Sequence, residues 1–460
     1  MLNFSFRKFV VMVFFTALAL RVLLFLLFLN TPLNIVDEQH YNAIAVCLVT
    51  HGVYGTSADR PSAMRPPVYP FFLAGIYKAA GRANPDIARG VQILLSLLSG
   101  ALLFKLLSDM FEPRTAAAGL ILFLFYPSLI FFNFLILTET FYIFLFLIFL
   151  IFMVKWLKTG RAFYGAMAGF MMGICSLTRS VTYPMTLPVA ALAAGLTFRK
   201  HRVMASVNAL LFVIFFMAIL APWAARNHRL FHSIVPIGTM GGLNLYMGNY
   251  AHTPLHRAWA AVDIKGERAW YAGHENTLKG LNAAEKQRWA INRATAYIKD
   301  NPVISAKRAL IKGANFWGLE RTVIAGIQRN YFENISGTPL TYPICAAITF
   351  GYIAVAWTGL SALIFKLMAG KEAFDLLFAF ILLCFTGIHA IVFGHSRYHL
   401  PLMPILCGYA GWSLCNGSDF TAHDRVRYTA AHLIALAFFS VIWGYELIVG
   451  SRDKIMAIVG

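Results

Sequence analysis

Apolar stretches of bilayer-crossing length recur along almost the whole of this 460-residue chain, beginning with FVVMVFFTALALRVLLFLLFL at residues 9–29. A run of about 20 apolar residues has few options other than a helix through lipid, because backbone amides in hydrocarbon must be satisfied within their own segment. The composition agrees, at 59% hydrophobic and 13% charged. The chain therefore reads as an all-α polytopic membrane protein. Its first run follows Arg7 and Lys8, is too long for a signal-peptide core and has no small-residue cleavage site, so it is expected to be a retained span.

Hydropathy and the positive-inside rule predict about eleven spans, near 9–29, 90–107, 115–132, 140–156, 163–177, 182–198, 203–222, 344–365, 373–392, 399–415 and 429–449. With a cytoplasmic N-terminus, alternate loops carry the basic residues: Lys105/Arg114, Lys155/Lys158/Arg161, Arg199/Lys200/Arg202, Lys366/Lys371 and Arg425/Arg427. The net charge of +19 is thus spread over helix ends, without the single patch or arginine-aromatic module of a nucleic-acid binder. The six cysteines lie mostly in apolar segments with no CxxC pair, which indicates neither a disulfide framework nor a zinc site.

Three parts follow from this pattern: an N-terminal membrane module, 1–222, a large outer segment, 223–343, and C-terminal membrane helices, 344–460. Within the first outer loop, 30–89, DEQHYNAIAVCLVTHG and VYPFFLAGIYKAAG are apolar but too short to span, so they are predicted to be juxtamembrane helices separated by MRPP. In the outer segment NAAEKQRWAINRATAYIKDNP has helical periodicity and ends at Asn301-Pro302.

The unusual charges lie on the outer side. Asp37 and Glu38 open the first juxtamembrane helix, where a carboxylate is favoured by unpaired amides; Asn34 with Asp37 three residues on reads equally as a cap. Asp37 and Tyr41, one turn apart, share a face. Arg65 precedes Pro66 and Pro67, which hold it on extended backbone, and a guanidinium there suits either phosphate recognition or general attraction to headgroups. Glu139 is an acid at the outer end of two uncharged spans. Arg179 in SLTRSVTYP and Arg397 in GHSRYHLP run against the positive-inside rule, and each is read as either snorkelling or functional. Acids and arginines at one membrane face suggest a reaction on a phosphorylated lipid. A carboxylate would accept a proton from an attacking hydroxyl, and the arginines would stabilise the leaving phosphate. Arg21, within the first span, leaves a transporter or flippase of lipid-linked sugars as the alternative, although related halves with interrupted helices are not seen.

DEQHY after the first span, RPPVYP, LTE after the third, ARNHR after the seventh and SRYHLPLMPIL near the end resemble, in order and side, the C-type membrane glycosyltransferases. That superfamily contains the protein O-mannosyltransferases and the lipid A aminoarabinose transferase. The resemblance implies sugar transfer with inversion from a polyprenyl-phosphate donor to an envelope lipid, glycan or protein, in a bacterial inner membrane with the site facing outward. It implies Asp37 and Glu139 as catalytic acids, and Glu38, Tyr41, Arg65, Arg179, Arg226, Arg397 and Tyr398 as substrate-binding residues. Arg65 stands where the aminoarabinose transferase pattern has lysine. The larger C-terminal domain of that family and the lectin-like insert of eukaryotic mannosyltransferases are expected to be missing, so acceptor identity does not carry over. PIGTMGGLNLYMGNY, 236–250, resembles a stretch of bacterial members, but its glycines indicate turns. His40, His51 and the acids are candidate ligands for a divalent ion, with no spacing that singles out a site.

Overall fold

The computed structural model describes residues 4–198, 202–370, 372–416 and 420–449. Arg199, Lys200 and Lys371, three of the basic residues behind the side assignment, lie outside the described residues. Helix α1 runs Phe4–Leu27, followed by two short helices, α2 (Val36–His51) and α3 (Val68–Ala79), on the two segments expected to lie at the membrane surface. Then come α4 (Pro85–Met110), α5 (Pro113–Leu124), α6 (Pro127–Phe132), α7 (Thr138–Thr159), α8 (Ala162–Thr178), α9 (Thr182–Phe198) and α10 (Arg202–Phe231). The long connecting segment carries α11 (Met240–Met247), α12 (Glu275–Gly280), α13 (Ala283–Asp300), α14 (Pro302–Phe316) and α15 (Thr322–Gln328). The chain closes with α16 (Thr341–Ala369), α17 (Ala373–Ile391), α18 (Met403–Asn416) and α19 (Ala422–Ile448). Among the described residues, seven helices, α1, α4, α7, α10, α16, α17 and α19, are long and apolar enough to cross a membrane; α5, α8 and α9 are shorter apolar helices.

Two expected spans are interrupted. The run 115–132 is apolar throughout but breaks at Phe125 and Tyr126, because Pro127 has no amide to continue α5 and instead begins α6. The run 399–415 begins as a 3-10 helix, Ser396–Leu402, containing Pro401, before α18 takes over. The glycine-rich stretch near 240 forms α11 rather than turns alone. A Cβ on Gly242 would lie 2.7 Å from the Gln287 carbonyl of α13, so the missing side chain is what lets the two helices meet.

Helix α7 forms the centre of the bundle, with 72% of its apolar window buried, against 17% for α1 and 22% for α19 at the rim. Close backbone contact replaces the hydrophobic effect where both neighbours are apolar. Gly165, Gly169 and Gly173, one turn apart on α8, face α10; a Cβ on Gly169 would sit 2.0 Å from the Phe212 carbonyl. In the connecting segment, α13 is capped by Asn282, whose side chain accepts from Ala284 and Glu285 amides while Glu285 accepts from the Asn282 amide. Pro302 then starts α14. The end of α14 and the turn after it do not stay with the polar part of the segment: Phe316, Trp317, Val323 and Ile327 pack into the main core of the bundle.

Candidate active site

Five of the predicted site residues meet at one end of the bundle, contributed by elements distant in sequence. Asp37 lies in the first turn of α2, Arg65 in the turn before α3, Glu139 in the first turn of α7, Arg179 just after α8 and Arg397 in the 3-10 helix before α18. Arg65 Nη2 is 2.5 Å from Asp37 Oδ1, and Arg397 Nη2 is 2.9 Å from Asp37 Oδ2, so each carboxylate oxygen faces a separate guanidinium. Arg397 Nε also lies 3.2 Å from Glu139 Oε1, and Arg179 Nη1 lies 3.1 Å from the same oxygen. Glu139 Oε1 and Arg179 Nη1 have no aligned hydrogen bond, so charge rather than directional bonding holds that contact. The network reads Arg65, Asp37, Arg397, Glu139, Arg179.

Aromatic rings flank it. The Arg65 guanidinium lies 5.2 Å from the centre of the buried Tyr41 ring, and Tyr398 sits 5.4 Å from the guanidinium of Arg397 and 5.6 Å from that of Arg179. The Asp37 side chain is 25% exposed, which leaves a ligand access to the cluster. Burial by itself would raise the Asp37 carboxyl, but Arg397 and Arg65 outweigh it and hold the group well below the usual carboxylate range. His40 Nδ1 accepts from Arg65 Nε at 3.0 Å, and burial followed by the Arg65 charge pushes the imidazole down, so the ring stays neutral and orients the guanidinium.

Glu38 and Arg226 are not brought into this network. The residue before α2 is Ile35 rather than Asn34, and its amide donates to Glu38 Oε2 at 3.1 Å. The other Glu38 oxygen accepts from the Ile136 amide at 2.8 Å, so this buried acid ties α2 to the start of α7. The capping role therefore falls to Glu38, and Asp37 is free for the arginines. Burial pushes the Glu38 carboxyl up against the pull of these two amides. Arg226 stacks on Trp223 and donates to the Ser62 and Tyr54 carbonyls. The Tyr54 hydroxyl in turn lies 3.0 Å from the Arg65 carbonyl and 3.1 Å from that of Pro66. Arg226 thus braces the loop that presents Arg65.

Sequence reasoning missed Glu320 and His399, which are buried behind Arg397 and paired at 3.0 Å. The available signal was the apolar run FWGL leading into Glu320, out of place in a segment read as lying outside the membrane. Among the described residues, no three His, Cys, Asp or Glu side chains form a group able to hold a metal ion, so His40 and His51 are not assembled with the acids into such a set.

Residues 64–225 match the family model described as dolichyl-phosphate-mannose-protein mannosyltransferase, a stretch that includes Arg65, Glu139 and Arg179. Among solved structures, the chain is similar to the oligosaccharyltransferase AglB of Archaeoglobus fulgidus in complex with an inhibitory peptide and a dolichol-phosphate. The TM-score is 0.52 and the identity 13%, over 96% of this chain and 56% of that one. The same protein in complex with zinc and sulfate gives a TM-score of 0.51 at 12% identity, covering 94% of this chain and 52% of the other. ArnT of Cupriavidus metallidurans bound to undecaprenyl phosphate gives 0.43 at 14% identity, covering 95% and 88%. The chain spans about half the length of the oligosaccharyltransferase structures. No curated protein sequence matches it.

Proposed function

We propose that this chain, which has the C-type membrane glycosyltransferase fold, moves a sugar from a polyprenyl-phosphate donor to a hydroxyl or phosphate on an envelope lipid, glycan or protein, with inversion at the anomeric carbon. The observation that carries the reading is Asp37 held between Arg65 and Arg397, with Glu139 tying Arg397 to Arg179. Three guanidiniums converging at a partly open position suit a phosphate, and the match to a dolichyl-phosphate-mannose family and the dolichol-phosphate in AglB support a lipid phosphate as the ligand.

In the step proposed, the acceptor oxygen attacks the anomeric carbon while the bond from that carbon to the phosphate oxygen breaks. The hydroxyl proton passes to Asp37, and the polyprenyl phosphate leaves with the bonding electrons, its charge held by Arg65, Arg397 and Arg179. Without donor, Asp37 is a poor base, because two guanidiniums stabilise its ionised form. A phosphate competes for those same guanidiniums. As they turn toward it, Asp37 loses the partners that depress it and its basicity rises when a donor is present. Glu139 keeps Arg179 oriented during that exchange. The site is proposed to face outward from a bacterial inner membrane with the N-terminus cytoplasmic, so a phosphatase fused within 223–343 should be active.

Mass spectrometry of envelope glycolipids, glycans and proteins with and without the gene should reveal one missing sugar substituent and so identify donor and acceptor together. An unchanged envelope alongside accumulated lipid-linked sugar on one leaflet would instead favour transport of the donor.

A further inference from the structure

If phosphate draws Arg397 away from Asp37 and Glu139, something else must keep its backbone in place. The 3-10 helix Ser396–Leu402 is a weak support, since it is short, poorly bonded internally and interrupted by Pro401. Two residues after Arg397, the fully buried His399 ring is fixed on both sides. Its Nδ1 lies 2.6 Å from the Phe316 carbonyl and its Nε2 lies 3.0 Å from Glu320 Oε1. A carbonyl can only accept, so Nδ1 carries hydrogen and donates to it, and Nε2 shares a second hydrogen bond with the Glu320 carboxyl. The ring lies nearly parallel to Tyr352, 4.7 Å away, and to Trp317, 5.9 Å away, so stacking adds to the two polar contacts that fix it.

Glu320 is itself held at both oxygens. Its oxygens accept from Tyr126, at 2.7 Å, in the break between α5 and α6, and from Ser128 in the first turn of α6. The turn bearing it is pinned from three more helices. The Trp317 carbonyl accepts from Tyr352 of α16 at 2.7 Å and from Trp443 of α19 at 3.1 Å. The Trp317 indole donates to Thr386 of α17 at 3.0 Å, and the Leu319 amide donates to Glu446 at 2.7 Å. Glu320 and Arg397 line one narrow crevice with Ser128 and Thr322, whose hydroxyl is buried without a partner.

We infer that Glu320, through His399, is the positioning residue that holds Arg397 at the phosphate site while its own acid partners are exchanged. The inference deepens the proposed glycosyl transfer and rests on it for the role of Arg397. Glu320 acts on Arg397 through His399, which shares the 3-10 helix with it.

The test uses Glu320→Gln in the full-length purified protein. This variant keeps the volume but turns an amide toward donors where a carboxylate had accepted. Binding of a short-chain polyprenyl phosphate in neutral detergent should weaken on the order of tenfold to a hundredfold, the size of one lost bond to a charged group. In the Arg397→Ala background the same change should add nothing, because the residue being positioned is already gone. Additive losses, or parental binding by Glu320→Gln alone, would overturn the inference. If Glu320→Gln does not fold, His399→Asn takes its place, since it still donates to Phe316 but cannot reach Glu320, and it should show the same non-additivity. A second readout does not depend on phosphate binding. Phenylglyoxal labelling followed by peptide mass spectrometry should modify Arg397 several-fold faster in Glu320→Gln, with Arg21 unchanged as the internal control. An unchanged rate at Arg397 would sink the positioning role. Parental phosphate binding by Arg397→Ala together with faster labelling would keep the positioning role and remove the phosphate reading.

Discussion

Two sets of buried arginines in this bundle look alike in the sequence and differ in what accepts their hydrogens. Arg21 of α1, 1% exposed, donates to the Ser96 hydroxyl, the Asn133 side chain and the carbonyls of Ala17 and Leu124. Arg89 of α4, 2% exposed, donates to the Phe134 and Thr31 carbonyls and pairs with Asp86, which the Asn30 amide holds in turn. These acceptors are mostly backbone or neutral side chains that cannot rearrange, so the guanidiniums act as staples between helices. Arg65, Arg179 and Arg397 face carboxylates instead, with side chains 12 to 17% exposed and two of their contacts poorly aligned. A charged partner can be traded for another anion, whereas a carbonyl cannot. The acceptor set, more than burial, separates a structural arginine from one suited to a ligand.

The largest effect that could break this comparison is expected at the shared acid. Asp37→Asn keeps the shape of the side chain and removes its charge and basicity. Turnover of lipid-linked sugar by the purified variant should fall by about 10²- to 10⁴-fold, the usual contribution of a general base, while thermal stability stays near the parent's. Turnover within a few-fold of the parent would remove Asp37 from the chemistry and leave it as a partner for arginines only.

Next in size is phosphate binding. Arg397→Ala and Arg65→Ala should each weaken binding of a polyprenyl phosphate by about 2 to 5 kcal/mol, against about 1 for simple attraction to an anionic headgroup. Arg65→Lys keeps the charge but loses the two-pronged geometry and the bond to His40, so it should retain part of the affinity. Binding measured in neutral detergent, where bulk lipid charge is absent, separates these cases. Alanine variants that bind as the parent does would place the exchangeable arginines in the same class as Arg21.

The third comparison runs in the opposite direction. Arg21→Met leaves Asn133 and two carbonyls without their buried donor, and should lower stability by about 1 to 3 kcal/mol. Phosphate affinity of the folded fraction should stay parental. Thermal unfolding and binding on one preparation give both numbers, and a binding loss as large as that of Arg397→Ala would assign Arg21 to a ligand path and revive the transport reading.

Most helices could be read from the sequence because hydropathy reports burial in lipid directly, and α2 and α3 were recognisable as apolar segments too short to span. Hydropathy does not report where a helix breaks: 115–132 is equally apolar on both sides of Pro127. The meeting of Asp37, Arg65, Glu139, Arg179 and Arg397 was foreseeable because charge at a membrane interface is costly and draws attention wherever it occurs. The choice between adjacent acids was not. Asp37 and Glu38 are one step apart on a helix and so point in different directions, and only the packing of α2 against the start of α7 sends one to the arginines and the other to the Ile136 amide. Glu320 escaped because its surroundings come from four other elements, none near it in sequence. Arg226 sits in a motif beside the site and yet serves the loop that carries Arg65.

The smallest effect concerns a buried cation that belongs to neither set. Lys312 of α14, 1% exposed, donates to Asn249 Oδ1 at 2.9 Å and to the Ile391 carbonyl at 3.0 Å, with Arg308 nearby. Its partners are fixed, as those of Arg21 are, but an ammonium can release its proton where a guanidinium cannot. Burial first, and then the Arg308 charge, push it down to about 7 from an ordinary value of 10.5. Between those two values the unfolded chain holds a proton that the folded chain does not, so this group makes stability rise as pH increases from about 7 toward 10 and fall as pH drops back. The neutral amine still has two hydrogens for its two acceptors, so the contact survives the titration. Lys312→Met should flatten that slope, and it should lower stability by no more than about 1 kcal/mol at high pH, since the Ile391 carbonyl keeps the Asn249 side-chain amide at 2.9 Å. Melting temperatures of parent and variant from pH 7 to 9 measure the difference. Parallel curves would mean that Lys312 stays charged when folded, and fixed neutral acceptors would then suffice to hold a buried ammonium as they hold the guanidinium of Arg21.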